Sequence, residues 1–383
     1  MVESARAERI SHALVAVRRI LGENSLRGVV LTTPGAVAWA TGGMNPPIDR
    51  TAATDLVWLC VTADHAVIVT TEIEAPRILG EMSPESFGIE VVGVPWWDTA
   101  APARASLRAC GLAADEDSSA IGSDGHPALG VDISELLVSA RMALCSADIA
   151  ELRSLGSDAA EAVQDALLSW APGETDFAIQ SRISRSVESR GADCPVLLVG
   201  ADDRVENFRH PVARGDRAER LVMAVLVARR GGVHVALTRF ASVGSPNNTF
   251  LAGLAASKRI HGKILDAHVP GAPYGSVLGA LETAYAAEGH PGAWREHYQG
   301  GPIGYAQREF EISPAQRDSR WWHEPVVAGG AVAWNPSLAG GGKDEDTYIV
   351  GENGAHEWVT SAPGWPTAPS SDSSLARPEI LIL

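Results

Sequence analysis

Cysteine is scarce in this sequence, and its four residues are not spaced as pairs. They are Cys60, Cys110, Cys145 and Cys194. Disulfide-stapled domains and zinc knuckles need cysteines at short, repeated spacings, so neither kind of structure is indicated. Cys194 is a candidate nucleophile, but no base lies next to it in the sequence. A buried structural thiol is the alternative reading of this residue.

An excess of positive charge is also missing. The chain has 31 Lys and Arg residues against 47 Asp and Glu, which gives a formal net charge of −16. Nucleic acids and anionic membranes bind to positive surfaces, so we expect neither as a partner. No apolar run reaches the length of a membrane span, and residues 1–20 carry mixed charges without the core of a signal peptide. We therefore expect a cytoplasmic protein.

The composition that is present is typical of a globular chain with two cores. Hydrophobic residues make up 45% of the chain and charged residues 20%. Its length of 383 residues exceeds the usual length of one domain. The first 145 residues alternate between helical and strand patterns. Helices are predicted at 3–22, 74–80 and 101–110, and strands at 28–32, 56–61, 66–71 and 90–94. This alternation predicts a layered α/β domain.

A second domain is predicted to begin at Ser146, where a helical pattern starts with acidic residues in its first turn. Pro172-Gly173 ends this pattern, and a second amphipathic helix follows it. Residues 221–227 are almost wholly apolar and predict a buried strand.

Short motifs then follow one another along this second part of the chain. They are Phe208-Arg209-His210-Pro211, Leu237-Thr238-Arg239-Phe240, Gly300-Gly301-Pro302-Ile303-Gly304 and Glu345-Asp346-Thr347. With the helix, Pro-Gly turn and helix before them, they resemble the creatinase, aminopeptidase P and methionine aminopeptidase superfamily. The segment from Val37 to Gly43 is similar to a motif of the creatinase-type N-terminal domain.

The resemblance implies an α/β (α+β) chain with a creatinase-like N-terminal domain at 1–145 and a pita-bread domain at 146–360. Residues 361–383 are rich in Pro, Ser and Ala and are expected to form a loose tail. The last four residues of that tail, 380–383, could dock on a surface.

The resemblance also marks positions at which members of the superfamily bind two metal ions. Two aspartates, a histidine and two glutamates are the ligands in such enzymes. The first four positions are occupied here by Val225, Ala236, Gly301 and Asn335, and only the last glutamate remains, as Glu345. One carboxylate and one amide cannot hold a divalent metal. We therefore expect no metal site and no cofactor.

His210 and Glu345 are the candidate catalytic residues. Creatinase works without metal and uses a histidine to move the proton, and His210 matches that histidine. An imidazole suits proton transfer near neutral pH, although a structural histidine before Pro211 is the alternative. Glu345 would then orient the reacting group.

Arg308 is a candidate substrate-binding residue, because its planar fork suits a carboxylate or phosphate. The alternative is that Arg308 pairs with Glu309, Glu311 or Glu345 and so fills the vacated metal site. Both roles can coexist, since a guanidinium in place of the metal would keep Glu345 ionised.

Four further residues are candidate substrate contacts. Strand alternation would place His297 and Gln299 on one face beside the glycine pair, with Tyr298 on the other, although a surface-facing pair is the alternative. Asn335 remains polar in the expected pocket. The resemblance to creatinase-like dimers implies that Arg50 reaches the active site of a partner subunit, so a homodimer with composite sites is expected.

Two functions of different classes remain open. The first is a metal-independent hydrolase or lyase that cleaves a C–N bond of a small polar, carboxylate-bearing substrate. The second is a catalytically inactive pita-bread domain that binds a peptide or protein. A metallo-aminopeptidase acting on Xaa-Pro peptides is a third possibility, which the lost ligands argue against. One fold hosts unrelated functions, so the fold does not decide between them.

Overall fold

The computed structural model describes residues 2–44, 48, 52–54, 56–113, 116–369 and 376–383. The described chain forms two compact units, Met1–Asp148 and Ile149–Leu383. No helix in these described ranges combines the length and the apolar character that crossing a membrane requires.

The first unit is a mixed sheet with helices packed against it. Its strands have the spatial order β4-β3-β2-β1-β5-β6. The helices are α1 (Val2–Glu23), α2 (Pro34–Ala40), α3 (Ala75–Arg77), α4 (Ala101–Ala109) and α5 (Ser134–Arg141). The strands are β1 (Gly28–Leu31), β2 (Trp58–Thr62), β3 (Ala66–Thr71), β4 (Ile89–Val94), β5 (Ile121–Ser123) and β6 (Val131–Asp132).

Each segment predicted from the first 145 residues has a counterpart in this unit. Strand β3 has the predicted bounds, whereas the helix expected at 74–80 is only α3 followed by a π-helical turn at Ile78–Met82. The four cysteines are free thiols. Cys60, Cys110 and Cys145 are buried, and burial raises the pKa of Cys194 to about 11, so the Cys194 thiol stays protonated at neutral pH.

The second unit contains two four-stranded sheets with helices around them. The helices are α6 (Ser146–Leu168, which begins in the first unit), α7 (Asp176–Ser189), α8 (Asp203–Asn207), α9 (Asn248–Ala267), α10 (Tyr274–Ala287) and α11 (Arg320–His323). The strands are β7 (Glu174–Thr175), β8 (Asp193–Ala201), β9 (Arg217–Ala218), β10 (Leu221–Arg230), β11 (Val233–Ser242), β12 (Gly300–Ile303), β13 (Ala331–Trp334), β14 (Asp346–Val350), β15 (His356–Trp358), β16 (Thr367–Pro369), β17 (Ala376–Pro378) and β18 (Leu381–Ile382).

The two sheets have the strand orders β18-β11-β10-β8 and β12-β13-β14-β15, and they are linked by hydrogen bonds from β11. The backbone N–H of Thr238 donates to the carbonyl of Glu345 at 3.0 Å, and that of Ala236 donates to Oγ1 of Thr347 at 2.8 Å. Strand β10 is buried over its first eight residues, as its apolar sequence predicts. These bonds hold β11 against the start of β14 and the residue before it.

The prediction of a loose tail from residue 361 onward is wrong for the described residues 376–383. Strand β18 pairs in parallel with β11, with Ala241 opposite Leu381. Arg377 is 1% exposed, and Ile380 packs in a core cluster with Phe240 and Phe250. The docking suggested for residues 380–383 is therefore a strand added to a sheet, in which Ile380 is buried while Ile382 and Leu383 stay exposed.

Two histidines inside the second unit make its stability depend on pH. His261 and His268 are 0% and 1% exposed, and burial lowers their pKa values to about 4 and about 3. In the unfolded chain both histidines would have a pKa near 6.5. Below that pH the unfolded state therefore binds more protons than the folded state does. Stability is therefore unaffected above that pH and decreases below it.

We expect the free energy of unfolding to fall as the pH is lowered from 6.5, by up to about 1.4 kcal/mol per pH unit for each histidine. Denaturant titrations at a series of pH values measure this slope. His268→Gln should make the slope shallower, whereas His65→Gln, which changes an exposed side chain, should leave it unchanged. An equal slope in wild type and His268→Gln would contradict the assignment.

Candidate functional site

A cavity of about 340 Å³ opens on the face of β8 and β10 in the second unit. Its floor is apolar and comes mainly from strands. The floor residues are Val196, Leu198, Val225, Val227, Ala236 and Ala333. The polar residues of its wall are His210, Tyr298, Gln307, Arg308, Glu311, Asn335, Lys343 and Glu345. The cavity thus combines an apolar surface with a cluster of charged groups.

The sequence resemblance matches Val225 and Ala236 to the paired aspartates of the superfamily. They lie on the hydrogen-bonded strands β10 and β11 and are 3% and 4% exposed. Gly301, which the resemblance matches to the histidine ligand, pairs with Ala333 across β12 and β13. Its neighbour Gly300 has φ +90°, and a Cβ there would lie 2.2 Å from the carbonyl oxygen of Ala333, so the turn into β12 requires glycine.

Glu345 is buried in the cavity wall, and its carboxylate is fully engaged. Oε2 accepts a hydrogen bond from Oγ1 of Thr238 at 2.6 Å and lies 3.2 Å from Nζ of Lys343. Oε1 accepts from Nδ2 of Asn335 at 3.3 Å. Burial favours the neutral acid, but the charge of Lys343 and these hydrogen bonds outweigh it and lower the pKa of Glu345. The carboxylate is therefore ionised at neutral pH.

Lys343 is the cation that sequence reasoning missed. It is 3% exposed, lines the cavity and pairs with Glu345. Of the three carboxylates predicted as alternative partners of Arg308, the structure pairs it with Glu311, whose Oε2 lies 2.7 Å from Nη1 of Arg308. The arrangement of Lys343 and Glu345 two residues apart was a usable signal, since alternate residues of an extended segment share a face.

These residues do not fit a two-metal centre. Two of the matching positions carry hydrocarbon side chains, and a third has no side chain. Glu345 and Asn335 are hydrogen-bonded to one another, and the ammonium group of Lys343 already lies beside the carboxylate of Glu345. Among the described residues, no group of three or more metal-binding side chains is placed to hold an ion. Divalent metals need several anionic or imidazole ligands at once.

His210 lies in the loop after α8 and is exposed at the cavity wall. Its ring stacks on that of His297, with centroids 4.8 Å apart. Partial burial and the charges of Lys343, Arg308 and Arg209 lower the pKa of His210 below 6.5, although Glu345 opposes them. The imidazole is therefore neutral at pH 7 and can accept a proton.

His297 packs against the ring of His210. Burial and the charge of Lys343 lower the pKa of His297 to about 2, so it stays neutral. Both of its ring nitrogens are buried without a hydrogen-bond partner among the described residues. An unpaired polar group of this kind is costly and is retained mainly where a bound water or ligand can satisfy it.

The strand predicted through His297, Tyr298 and Gln299 is wrong, because β12 begins only at Gly300. Tyr298 lines the cavity, while Gln299 is buried away from it. Oε1 of Gln299 accepts from the hydroxyl of Tyr285 at 2.9 Å, and its Nε2 donates to two backbone carbonyls. Gln299 therefore has a structural role in this chain and no group left for a substrate. Arg50 lies outside the described residues, so its contribution to a partner's site stays a prediction.

Asn335 remains a cavity residue, and the structure fixes how its amide is oriented. Its backbone N–H donates to the carbonyl of Gln299 at 2.9 Å, and its Nδ2 donates to Glu345. Oδ1 of Asn335 is buried without a donor among the described residues. The cavity wall thus carries one unsatisfied acceptor beside the ion pair.

Behind the wall, a second set of charges holds the same stretch of chain from the opposite side. Asp344 binds Nδ1 of His261 at 2.8 Å, and Asp346 accepts from Nη2 of Arg239 at 2.7 Å. All four residues are buried. Lys343 and Glu345 face the cavity while Asp344 and Asp346 face inward, so alternate residues serve two separate networks.

The fold has close counterparts among solved structures. Dipeptidase PepE from Mycobacterium ulcerans matches with a TM-score of 0.74 at 20% sequence identity, over 93% of this chain and 97% of that chain. The prolidase from Pyrococcus horikoshii OT3 has a TM-score of 0.71 at 18% identity, over 91% of this chain and 98% of that chain. The Xaa-Pro dipeptidase from Bacillus anthracis has a TM-score of 0.71 at 16% identity, over 98% of this chain and 100% of that chain.

No protein-family model matches the sequence, and no curated protein matches it. The structural matches confirm the predicted α/β fold class and the pita-bread fold. At these identities they establish the fold, and the reaction has to be argued from the cavity itself.

Proposed function

We propose that the cavity hydrolyses a C–N amide bond in a small molecule that carries a carboxylate, and that it does so without a metal ion. The observation that carries the proposal is His210, a neutral imidazole on the wall of a cavity that also holds a buried ion pair. The dipeptidases and prolidases named above act as further support, because their names denote cleavage of a C–N bond.

His210 acts as general base and then as general acid. Its imidazole accepts a proton from a water molecule as the oxygen of that water bonds to the amide carbon. The carbonyl π electrons move to oxygen, which becomes an oxyanion. The protonated ring then gives its proton to the amide nitrogen as the C–N bond breaks, which leaves a carboxylic acid and an amine and returns neutral His210.

The charged residues of the wall supply the electrostatic part of the reaction. The ammonium of Lys343 is held in place by Glu345 and lies where it can stabilise a developing oxyanion. Glu345 is therefore a positioning residue, whereas it was expected to orient the reacting group itself. The half-buried guanidinium of Arg308 is available to the substrate carboxylate, in exchange for its contact with Glu311.

The proposal is tested with purified protein that has been treated with a chelator and dialysed, incubated with a panel of N-acyl amino acids. We expect amine release that is unchanged by the chelator and not increased by manganese or cobalt. Activity on Xaa-Pro peptides that appears only when such a metal is added would overturn it. The plasma mass spectrum of the dialysed protein should show no stoichiometric metal.

The pH dependence of kcat/KM should report the lowered pKa of His210. A general base works when it is deprotonated, so the rate should be constant at neutral pH and fall as the solution becomes more acidic than pH 6.5. A midpoint above 6.5 would contradict this role for His210. The measurement is a rate profile at substrate concentrations well below KM.

A binding domain without catalysis is the second candidate. Two observations favour it: each cavity cation already has a carboxylate partner, and no carboxylate accepts a hydrogen bond from the ring of His210 within the described residues. In that case calorimetry would find ligand binding that is equal in wild type and in His210→Ala, and no N-acyl amino acid would be cleaved by either protein.

A further inference from the structure

The unsatisfied acceptor of Asn335 defines what kind of amide the cavity recognises. Nδ2 of Asn335 donates to Oε1 of Glu345, and Oδ1 is left without a donor among the described residues. The opposite orientation of the amide would place Oδ1 against the carboxylate, with two acceptors facing each other. Glu345 therefore fixes the orientation, and the free group of Asn335 is an acceptor.

A buried acceptor of this kind is completed by a donor that enters with the ligand. Asn335 is 5% exposed and lines the cavity, and Oδ1 has no hydrogen-bond partner among the described residues. Leaving a buried acceptor unpaired costs more than the net gain of an ordinary hydrogen bond. A ligand that presents an N–H to Oδ1 is thus favoured strongly over one of the same shape that lacks it.

We propose that Asn335 selects secondary amides, whose nitrogen carries a hydrogen, with an apolar acyl group on the floor formed by Val225 and Ala236. This inference rests on the proposed function, because it identifies the N–H with that of the cleaved bond. Tertiary amides are rejected. The nitrogen of an Xaa-Pro amide bond belongs to the proline ring and has no hydrogen, so this chain discriminates against the Xaa-Pro bond that the name of the Bacillus anthracis dipeptidase specifies.

The consequence for the reaction is geometric. When Oδ1 of Asn335 accepts a hydrogen bond from the N–H of the substrate amide, that bond fixes the position of the amide nitrogen. The electron pair that develops on that nitrogen in the tetrahedral intermediate is then free to accept the proton from His210. The cation of Lys343 remains available for the oxygen, since it lies on the other side of the Glu345 carboxylate from the Asn335 amide.

The test is a comparison of two probes that differ by one methyl group, N-isovalerylglycine and N-isovalerylsarcosine. Calorimetry on the wild-type protein should show that the glycine compound binds at least about tenfold more tightly. N-isovalerylproline should bind as weakly as the sarcosine compound. Equal affinity of the glycine and sarcosine compounds, or failure of both to bind at millimolar concentration, would overturn the inference.

Two variants test whether the preference for the secondary amide comes from Asn335. Asn335→Ala removes the acceptor, so the ratio of the two dissociation constants should fall to about one. Gln307→Ala removes another amide from the cavity wall, one that is exposed, and should leave the wild-type ratio unchanged. A wild-type ratio that persists in Asn335→Ala would mean that shape, and not this acceptor, rejects the methyl group.

The outcomes separate this inference from the proposed function. A wild-type ratio that collapses in Asn335→Ala, with neither probe cleaved, would leave the recognition of the N–H standing and remove the hydrolase. Cleavage of both probes with equal kcat/KM would support the hydrolase and remove the selection by Asn335.

Discussion

Replacing Lys343 by methionine is expected to destabilise the protein by about 3–5 kcal/mol, because it leaves the carboxylate of Glu345 buried without its charge partner. The two side chains are 3% and 7% exposed, so solvent cannot take over the role of the ammonium. The remaining donors, Thr238 and Asn335, are neutral. The loss is measured as the change in the free energy of unfolding from denaturant titration.

A second substitution shows whether the cost comes from the orphaned charge. Glu345→Gln in the Lys343→Met background removes that charge, so most of the lost stability should return. Lys263→Met is the matched control: Lys263 is 51% exposed and pairs with Asp266 at 3.6 Å, and its replacement should change stability by less than about 0.5 kcal/mol. A cost in Lys343→Met as small as in this control would show that Glu345 is not held by Lys343.

His210→Gln is expected to lower kcat for the cleaved N-acyl amino acid by about 10²- to 10⁴-fold, the usual worth of a positioned general acid and base. Glutamine keeps hydrogen-bonding groups at the position but cannot exchange a proton near neutral pH. Because His210 is exposed, the free energy of unfolding should stay close to that of wild type. Steady-state rates and denaturant titration measure the two quantities on the same preparation.

The control for this experiment is His290→Gln, which changes an exposed histidine of the same unit. It should leave kcat unchanged. Any residual activity of His210→Gln should lose the acid limb of the pH profile. Wild-type kcat in His210→Gln would remove His210 from the mechanism and leave the hydrolase with a different general base.

The fold could be predicted because its signals are local. Strand β3 is a run of apolar residues between turns, and it appears at its predicted bounds. The helix predicted to start at Ser146 and the Pro-Gly break at Pro172 are both present, since a first-turn acidic residue and a Pro-Gly pair act within a few residues of sequence.

The choice of the cation beside Glu345 could not be made in this way. Lys343 and Arg308 are both positively charged, and which one reaches the carboxylate depends on the path of the loop before Lys343. In that loop Gly341 has φ +95°, and a Cβ on it would lie 3.0 Å from the ring of Phe250. The loop therefore packs against α9, and this packing cannot be predicted from the local sequence. The resulting path of the backbone places Lys343 at the cavity.

The failure at Gln299 has a similar origin. Alternation predicts faces only within a strand, and the backbone is not yet a strand before Gly300. Gln299 is drawn inward by the hydroxyl of Tyr285 on α10, a residue 14 positions away in sequence. Tyr298 consequently takes the place in the cavity wall that the pattern assigned to His297 and Gln299.

The two-faced run of Lys343, Asp344, Glu345 and Asp346 determines which insertions and deletions the chain can accept. Shifting an extended segment by one residue moves every side chain to the opposite face. Deletion of Glu345 would turn Asp344 into the cavity and place Lys343 beside His261 and Arg377, so both charge networks would be lost in one step. The glycine-rich loop at 340–342 is under the same constraint, because a Cβ on Gly342 would lie 2.4 Å from the backbone of Gly253 and an added residue would change the path that brings Lys343 to the cavity.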